Sequence, residues 1–367
     1  MDLPDVDLPE DIPDIDISRH GDPDLSEELD VPHLDESADS DPDLGTHVDS
    51  HATSGDDLGT SSERRDVVAM IELPQLQIAQ QYINLLHAAA LDSSGMQADD
   101  IDDLRNPGQE YTLVDPSPLL RSVRHFINNS TTSRKHYDLL QTIERLHRPD
   151  NQILSFDQVK RHVRWLSGVA PVEHDMCINT CLAFTGPRET LDTCLHCGES
   201  RYCLGTTRPQ KRFTTVPMGP VIQALYGSQE VAESMHYLER KLEENLDRAR
   251  LSRGMLDIYD DTVSSQALID AWDEGHIKRG DIALQFSIDG AQLRADRPSE
   301  AWFFIWVIHN LPPNMRYKKA FVIPGVIVPG PKKPWDIDSF MFPSLYHIAA
   351  LQREGLNVYD TSLGTLV

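Results

Sequence analysis

The sequence predicts an α+β chain of several domains, and three observations carry that reading. Four of the five cysteines fall in two close pairs near the middle of the chain. Helical periodicity dominates before them and just after them, and from residue 281 the apolar pattern switches to that of strands. Length alone, 367 residues, corresponds to about two domains with ample material for a core. The segments are a disordered acidic tail (1–65), a helical and partly basic region (66–170), a zinc-binding module of four cysteines (171–210), a helical connector (211–280) and an α/β segment (281–367).

Charge is unevenly placed. The chain carries a formal −26, yet residues 1–60 hold 20 Asp and Glu against Arg19 alone, so the acidity belongs to a tail. Isolated aliphatics between acids and prolines, as in Asp22-Pro23-Asp24-Leu25, bury too little surface to offset the entropy of ordering, which predicts disorder. Such a tail serves either to dock on a partner or only to solvate the chain. The opening MDLPDVDLPEDIP has neither the basic start nor the apolar run of a signal peptide, and the longest apolar run, Ala301 to Ile308, is too short to span a bilayer. An intracellular, reducing location is expected, where cysteines bind metal rather than form disulfides.

Leu76, Ala79, Ile83, Leu86 and Ala90 recur at helical spacing, and an acidic linker is expected from there to about Pro118. Three helices follow, over Leu119 to Ile127, Ser133 to His147 and Ser155 to Leu166, the last with Ser155 as N-cap. Between residues 117 and 170 nine Lys or Arg face four acids. Arg161 and Arg164, on the helix leading into the cysteines, are placed to neutralise phosphates or simply to form a solvated helix face.

Cys177 and Cys181 are separated by three residues, Cys194 and Cys197 by two, with twelve between the pairs. Two chelating knuckles joined by a loop long enough to fold back are what a tetrahedral Zn²⁺ site requires. The alternative, four reduced cysteines buried as small hydrophobes, has to account for the clustering and for the glycine after Cys197. His174, His196 and Cys203 lie close enough to substitute as ligands. A closed four-ligand site would be structural.

Lys211 and Arg212 belong to a basic connector and are candidate nucleic-acid contacts. Beyond it, Val231, Met235, Leu238, Leu242 and Leu246 line one stripe of a single helix expected from Ser228 to Arg250, and a short helix is expected from Ser264 to Glu274. Ile282 to Ile288 reads as a strand ending at Asp289-Gly290. Ala301 to Ile308 reads as a strand buried on both faces, and Phe321 to Val328 as one broken at Pro324-Gly325. A helix framed by Pro343 and Gly355 and a fourth strand at Leu356 to Tyr359 complete the order β, β, β, α, β, the opening of a ribonuclease-H-like fold.

The segments HDMCINTCLAFTGPRETLDTCLHCGESRY, FSIDGAQL, AWFFIWVIHNLPPNMRYKKAFVIPGVIVPGPKKPWDIDSFMFPSL and HIAALQREGL, which together cover roughly residues 155–360, resemble the transposases of En/Spm (CACTA) type DNA elements in their fungal form. The resemblance implies a DDE-type nuclease and strand transferase, in which three carboxylates hold two Mg²⁺ or Mn²⁺ ions for in-line attack on a phosphodiester. Asp289 matches the first carboxylate, and Asp360 is a candidate for the second. In that family the chain continues past this point to further carboxylates, so a truncated core is implied. DNA at element ends, a full-length transposase or a second copy of the chain are the implied partners, in the nucleus and not at a membrane. Lys332 and Lys333, with Arg316, Lys318 and Lys319 upstream, are candidate phosphate contacts. The competing reading is a zinc-dependent protein-interaction or regulatory module derived from a transposase.

Overall fold

A computed structural model describes residues 73–108, 118–130, 132–148, 153–252, 258–259, 261–292, 300–330 and 332–367. The acidic tail lies outside the described residues. No helix among the described residues is long and apolar enough to cross a membrane.

The N-terminal helices are α1 (Pro74–His87), α2 (Ala98–Arg105), α3 (Pro118–Asn128), α4 (Arg134–His147) and α5 (Phe156–Ser167). The cap residues explain two of the starts. Ser133 accepts from the His136 amide, and Ser155 forms a reciprocal capping box with Gln158. Helices α3 to α5 share a small core of Tyr137, Ile153 and Val159. The expected linker contains α2 instead, because Ile101 and Leu104 bury against Leu91 and Ala350. Two apolar residues three apart suffice for a short helix once a neighbouring surface covers them.

One five-stranded antiparallel sheet follows, built from β1 (Val172–Met176), β2 (Lys211–Thr215), β3 (Leu284–Gln292), β4 (Glu300–Ile308) and β5 (Ile323–Pro329) in the order β1-β2-β5-β4-β3. The expected strands at 281–328 are therefore present as a meander. The two strands that flank the cysteine loop, which the sequence reading missed, extend it through the pairs Thr214–Ile327 and Thr215–Val326. The segment boundaries at 210 and 280 consequently fall inside one sheet.

Three details differ from expectation. Strand β3 runs through Asp289-Gly290 to Gln292, and Gly290 is a glycine because the Trp302 indole lies where a Cβ would stand, 2.9 Å away. Strand β5 is continuous, with a bulge that skips Gly325, over which the Trp306 ring packs. In β4 neither face is exposed, but coverage is uneven: Phe304, Trp306 and Ile308 are buried with Trp302 half-buried on one face, and Ala301 and Val307 are buried with Phe303 and Ile305 half-buried on the other.

The connector holds α6 (Met218–Tyr226), which was not expected, and then α7 (Gln229–Met235) and α8 (Tyr237–Leu251) in place of one long helix. The chain leaves helical geometry only at His236, φ −82° and ψ 6°, so the apolar stripe survives the break. After α9 (Gln266–Asp273) and the single turn α10 (Pro313–Arg316), the long helix α11 (Ile337–Glu354) packs its Phe340 against Phe213, Phe304, Val326 and Val328. It begins at Ile337, well before the Pro343 start that the sequence suggested, because Asp336 caps it by accepting from the Ser339 amide. The expected fourth strand does not join the sheet. Tyr359–Asp360 (β6) pairs only with Thr365–Leu366 (β7).

Candidate metal centre and basic loop

Cys177 follows β1 directly, and its amide donates to Leu182 O at 2.9 Å while Thr180 N donates back to Cys177 O at 2.9 Å. Thr180 closes this knuckle at φ +63°. In the second knuckle Gly198 N donates to Cys194 O at 2.8 Å, with φ +75°, the left-handed turn for which glycine suits. The four thiol sulfurs of Cys177, Cys181, Cys194 and Cys197 lie within 4.8 Å of one another. Tetrahedral ligation at about 2.3 Å per sulfur places sulfurs ~3.8 Å apart, so the donor set fits a four-coordinate ion. Among the described residues this is the one group of three or more metal-ligating side chains.

Asn179 supports the centre from outside, its amide 3.4 Å from Cys177 Sγ and its side-chain nitrogen 3.6 Å from Cys197 Sγ. Burial raises the Cys181 and Cys194 thiols, the latter to about 11. At Cys197 burial also pushes upward, but hydrogen bonds from the Glu199 backbone and from Asn179 prevail and hold it at about 7. The other candidate ligands turn away. His174 Nε2 is 2.8 Å from Thr215 Oγ1, the His196 ring stacks on Trp335, and the Cys203 amide bonds Arg208 O in a separate turn.

The centre is joined to the sheet and to α11. Trp335 N and Asp336 N both donate to Cys181 O, at 3.0 and 2.8 Å. Ala183 N donates to Ser339 Oγ at 2.9 Å, and the Thr185 hydroxyl donates to Ser339 O. That carbonyl is open because Pro343, four residues on, has no N–H to return to it.

The predicted cationic contacts divide into two kinds. Lys211 Nζ is a clamp, donating to Gly330 O at 2.7 Å, Thr180 Oγ1 at 3.1 Å and Ile178 O at 3.4 Å, and burial lowers its pKa. Arg212 pairs with Glu173 at 2.9 Å and Arg164 with Asp100 at 3.2 Å. Arg316 is fully buried, so it is not a phosphate contact; its carboxylate partner Asp261 lies under the same surface. Arg161 is exposed on α5, and Lys332 and Lys333 are exposed on the loop that the Cys181 carbonyl holds. Between those lysines and Trp335, Pro334 is buried and pins the loop.

The two predicted carboxylates are not gathered into a ligand group. Asp289 stands on the solvent face of β3 with Gln285 and Ser287 and, among the described residues, accepts from the neighbouring Gly290 amide at 2.8 Å. Asp360 is fully buried and satisfied, accepting from His236 Nε2 at 2.8 Å, from Ser362 N at 2.8 Å and its hydroxyl at 2.6 Å, and from Leu363 N at 3.2 Å. Its geometry is that of a turn-holding aspartate rather than a metal ligand aimed at Asp289.

The chain matches no protein-family model and no curated protein.

Proposed function

We propose that this chain is a DNA-binding polypeptide of the transposase type it resembles, with a structural Zn²⁺ in the four-cysteine centre and, among the described residues, no carboxylate group that would cleave DNA. The observation that carries the reading is the basic loop. Its backbone is tied to a metal knuckle through Cys181 O, and it presents Lys332 and Lys333 to solvent. Lysines on a loop held in one geometry can meet successive phosphates without a large ordering entropy. The β3-β4-β5 meander followed by α11 matches the first four elements of the ribonuclease-H-like order, while the fourth strand stays outside the sheet. A two-ion mechanism requires several carboxylates around one phosphate, and among the described residues Asp289 has no such companions.

Fluorescence anisotropy with duplex DNA at several salt concentrations tests this. Binding should weaken steeply with salt, and Lys332→Gln with Lys333→Gln should reduce the log–log slope by about two. Salt-independent or absent binding refutes the reading. A nicking assay with Mg²⁺ or Mn²⁺ should show no cleavage; metal-dependent nicking lost in Asp289→Asn would show that the core is sufficient. Nuclear localisation and element ends as the DNA target belong to the same proposal.

A second reading, a zinc-dependent protein-interaction module derived from a transposase, rests on α4. There Leu139, Ile143 and Leu146 stand 58%, 47% and 78% exposed along one stripe. Self-association or partner binding abolished by Leu139→Glu, in a chain that binds no DNA, would favour it.

A further inference from the structure

Beside the cysteine centre lies an open concavity of about 400 Å³, lined among others by Asn179, His196, Lys332, Lys333 and Trp335. That volume lies in the range of small-ligand sites, roughly 300–1,000 Å³. Trp335 is 61% exposed, an unusual situation for the largest apolar side chain, yet it is not a loose one. Its amide bonds Cys181 O, the preceding Pro334 is buried, and its ring stacks on His196 with centroids 4.4 Å apart and planes 26° from parallel. His196 sits between two metal ligands, Cys194 and Cys197, so ligation that fixes this knuckle also fixes the surface on which the indole rests.

We propose that this concavity seats one unpaired nucleotide of a single-stranded DNA segment, its base stacked on Trp335 and its phosphate held by Lys332 and Lys333. The proposal rests on the DNA-binding reading and narrows it. Within a duplex, base faces are covered by their neighbours, whereas an unpaired base offers a face to an aromatic ring. The pairing of an ordered, exposed indole with two adjacent lysines supplies both parts that single-strand recognition uses, a stacking platform and cationic contacts along the backbone. The stack beneath the indole adds a further planar layer, so a bound base would continue a column of His196 and Trp335.

The experiment uses the full zinc-loaded chain with (dT)10, a mixed-sequence duplex and free thymidine monophosphate. Trp335→Ala should weaken (dT)10 binding about ten-fold or more while leaving duplex affinity within about two-fold; base–aromatic stacking of this kind typically corresponds to such a loss. Trp335→Phe, which keeps a ring, should recover most of the affinity. It should also abolish the quenching of tryptophan emission that (dT)10 produces in the native chain, a readout that stands even if Trp335→Ala loses its metal. Zinc content of each variant is measured alongside.

If the native chain binds no DNA of either kind, the DNA-binding reading and this inference fall together. If duplex binding depends on Lys332 and Lys333 but (dT)10 binding and quenching ignore residue 335, this inference alone falls. Thymidine monophosphate binding as tightly as (dT)10 would overturn the strand assignment in favour of a free-nucleotide site.

Discussion

Arg316 and Asp261 form a two-pronged ion pair out of water, with Nη2 2.8 Å from Oδ2 and Nη1 3.1 Å from Oδ1, the arginine side chain 0% and the aspartate 6% exposed. Neighbouring groups are engaged as well: Arg316 Nε donates to Leu311 O at 2.8 Å, Nη1 lies 2.8 Å from His309 Nδ1, and Tyr237 donates to Asp261 at 3.0 Å. The pair fastens the end of α10 to the segment between α8 and α9, and Tyr237 links it to the start of α8. Removing one partner strands a buried charge, so Arg316→Gln should destabilise the fold by about 3–5 kcal/mol. Arg316→Lys should not rescue it, lacking the planar fork. Denaturant midpoints check both; a loss below about 1 kcal/mol in Arg316→Gln would contradict the assignment.

The Thr185 hydroxyl occupies the Ser339 carbonyl that Pro343 leaves open, which makes the two residues testable as a unit. Thr185→Val should cost about 1–3 kcal/mol, the penalty for a buried carbonyl without a donor. In a Pro343→Ala background the helix regains its own N–H at that place, and the same substitution should cost markedly less. A double-mutant cycle with no coupling would show that the two do not share that carbonyl.

The cysteine spacing, the Ser155 cap of α5 and the strand at β3 were all legible in the sequence because each is a local signal. What escaped was set at a distance. Strands β1 and β2 are short and polar, and only their pairing with β5 makes them part of a sheet. Pro343 suggested a helix start because proline favours the first turn, yet Asp336 carried the operative signal. Arg316 looked like a surface cation until Asp261, 55 residues earlier, covered it. Asp360 was singled out as a metal ligand, but no pattern along the chain announces His236 as its partner.

On the proposed zinc reading, chelation should unfold the region around the knuckles, since metal binding and local folding are coupled in small cysteine sites. One Zn²⁺ per chain is expected by elemental analysis, and a chelator or Cys177→Ser should lower the melting temperature. Metal-free protein that melts at the same temperature would refute a structural role for the site.

Acid should weaken the fold through two histidines. Burial lowers His347 and His174 to about 4, with Asp175 partly opposing the shift at His174. The native state therefore favours the neutral ring, and stability is full above the unfolded pKa of about 6.5. Between pH 6.5 and 4 the unfolded chain binds more protons, so stability should fall by up to about 1.4 kcal/mol per pH unit for each histidine and level off below about 4. His347 Nε2 accepts from the Gly219 amide at 3.1 Å, a bond that His347→Gln could keep while removing the titration. That variant should flatten the pH dependence of the denaturation midpoint; an unchanged slope would assign the effect elsewhere.

The seam between β2 and β5 also sets an order of events. The meander β3-β4-β5 closes between strands that follow one another in the chain, and each cysteine knuckle closes within a few residues, whereas Thr214 must find Ile327 and Cys181 must find Trp335 across the whole helical connector. Closure of such distant contacts is slow compared with local ones. The two halves are therefore expected to acquire protection from hydrogen exchange separately, with the amides of the seam protected last. A chain emerging from the ribosome would hold its metal knuckles formed while β2 still had an unpaired edge, exposed until the stretch carrying Ile327 is made.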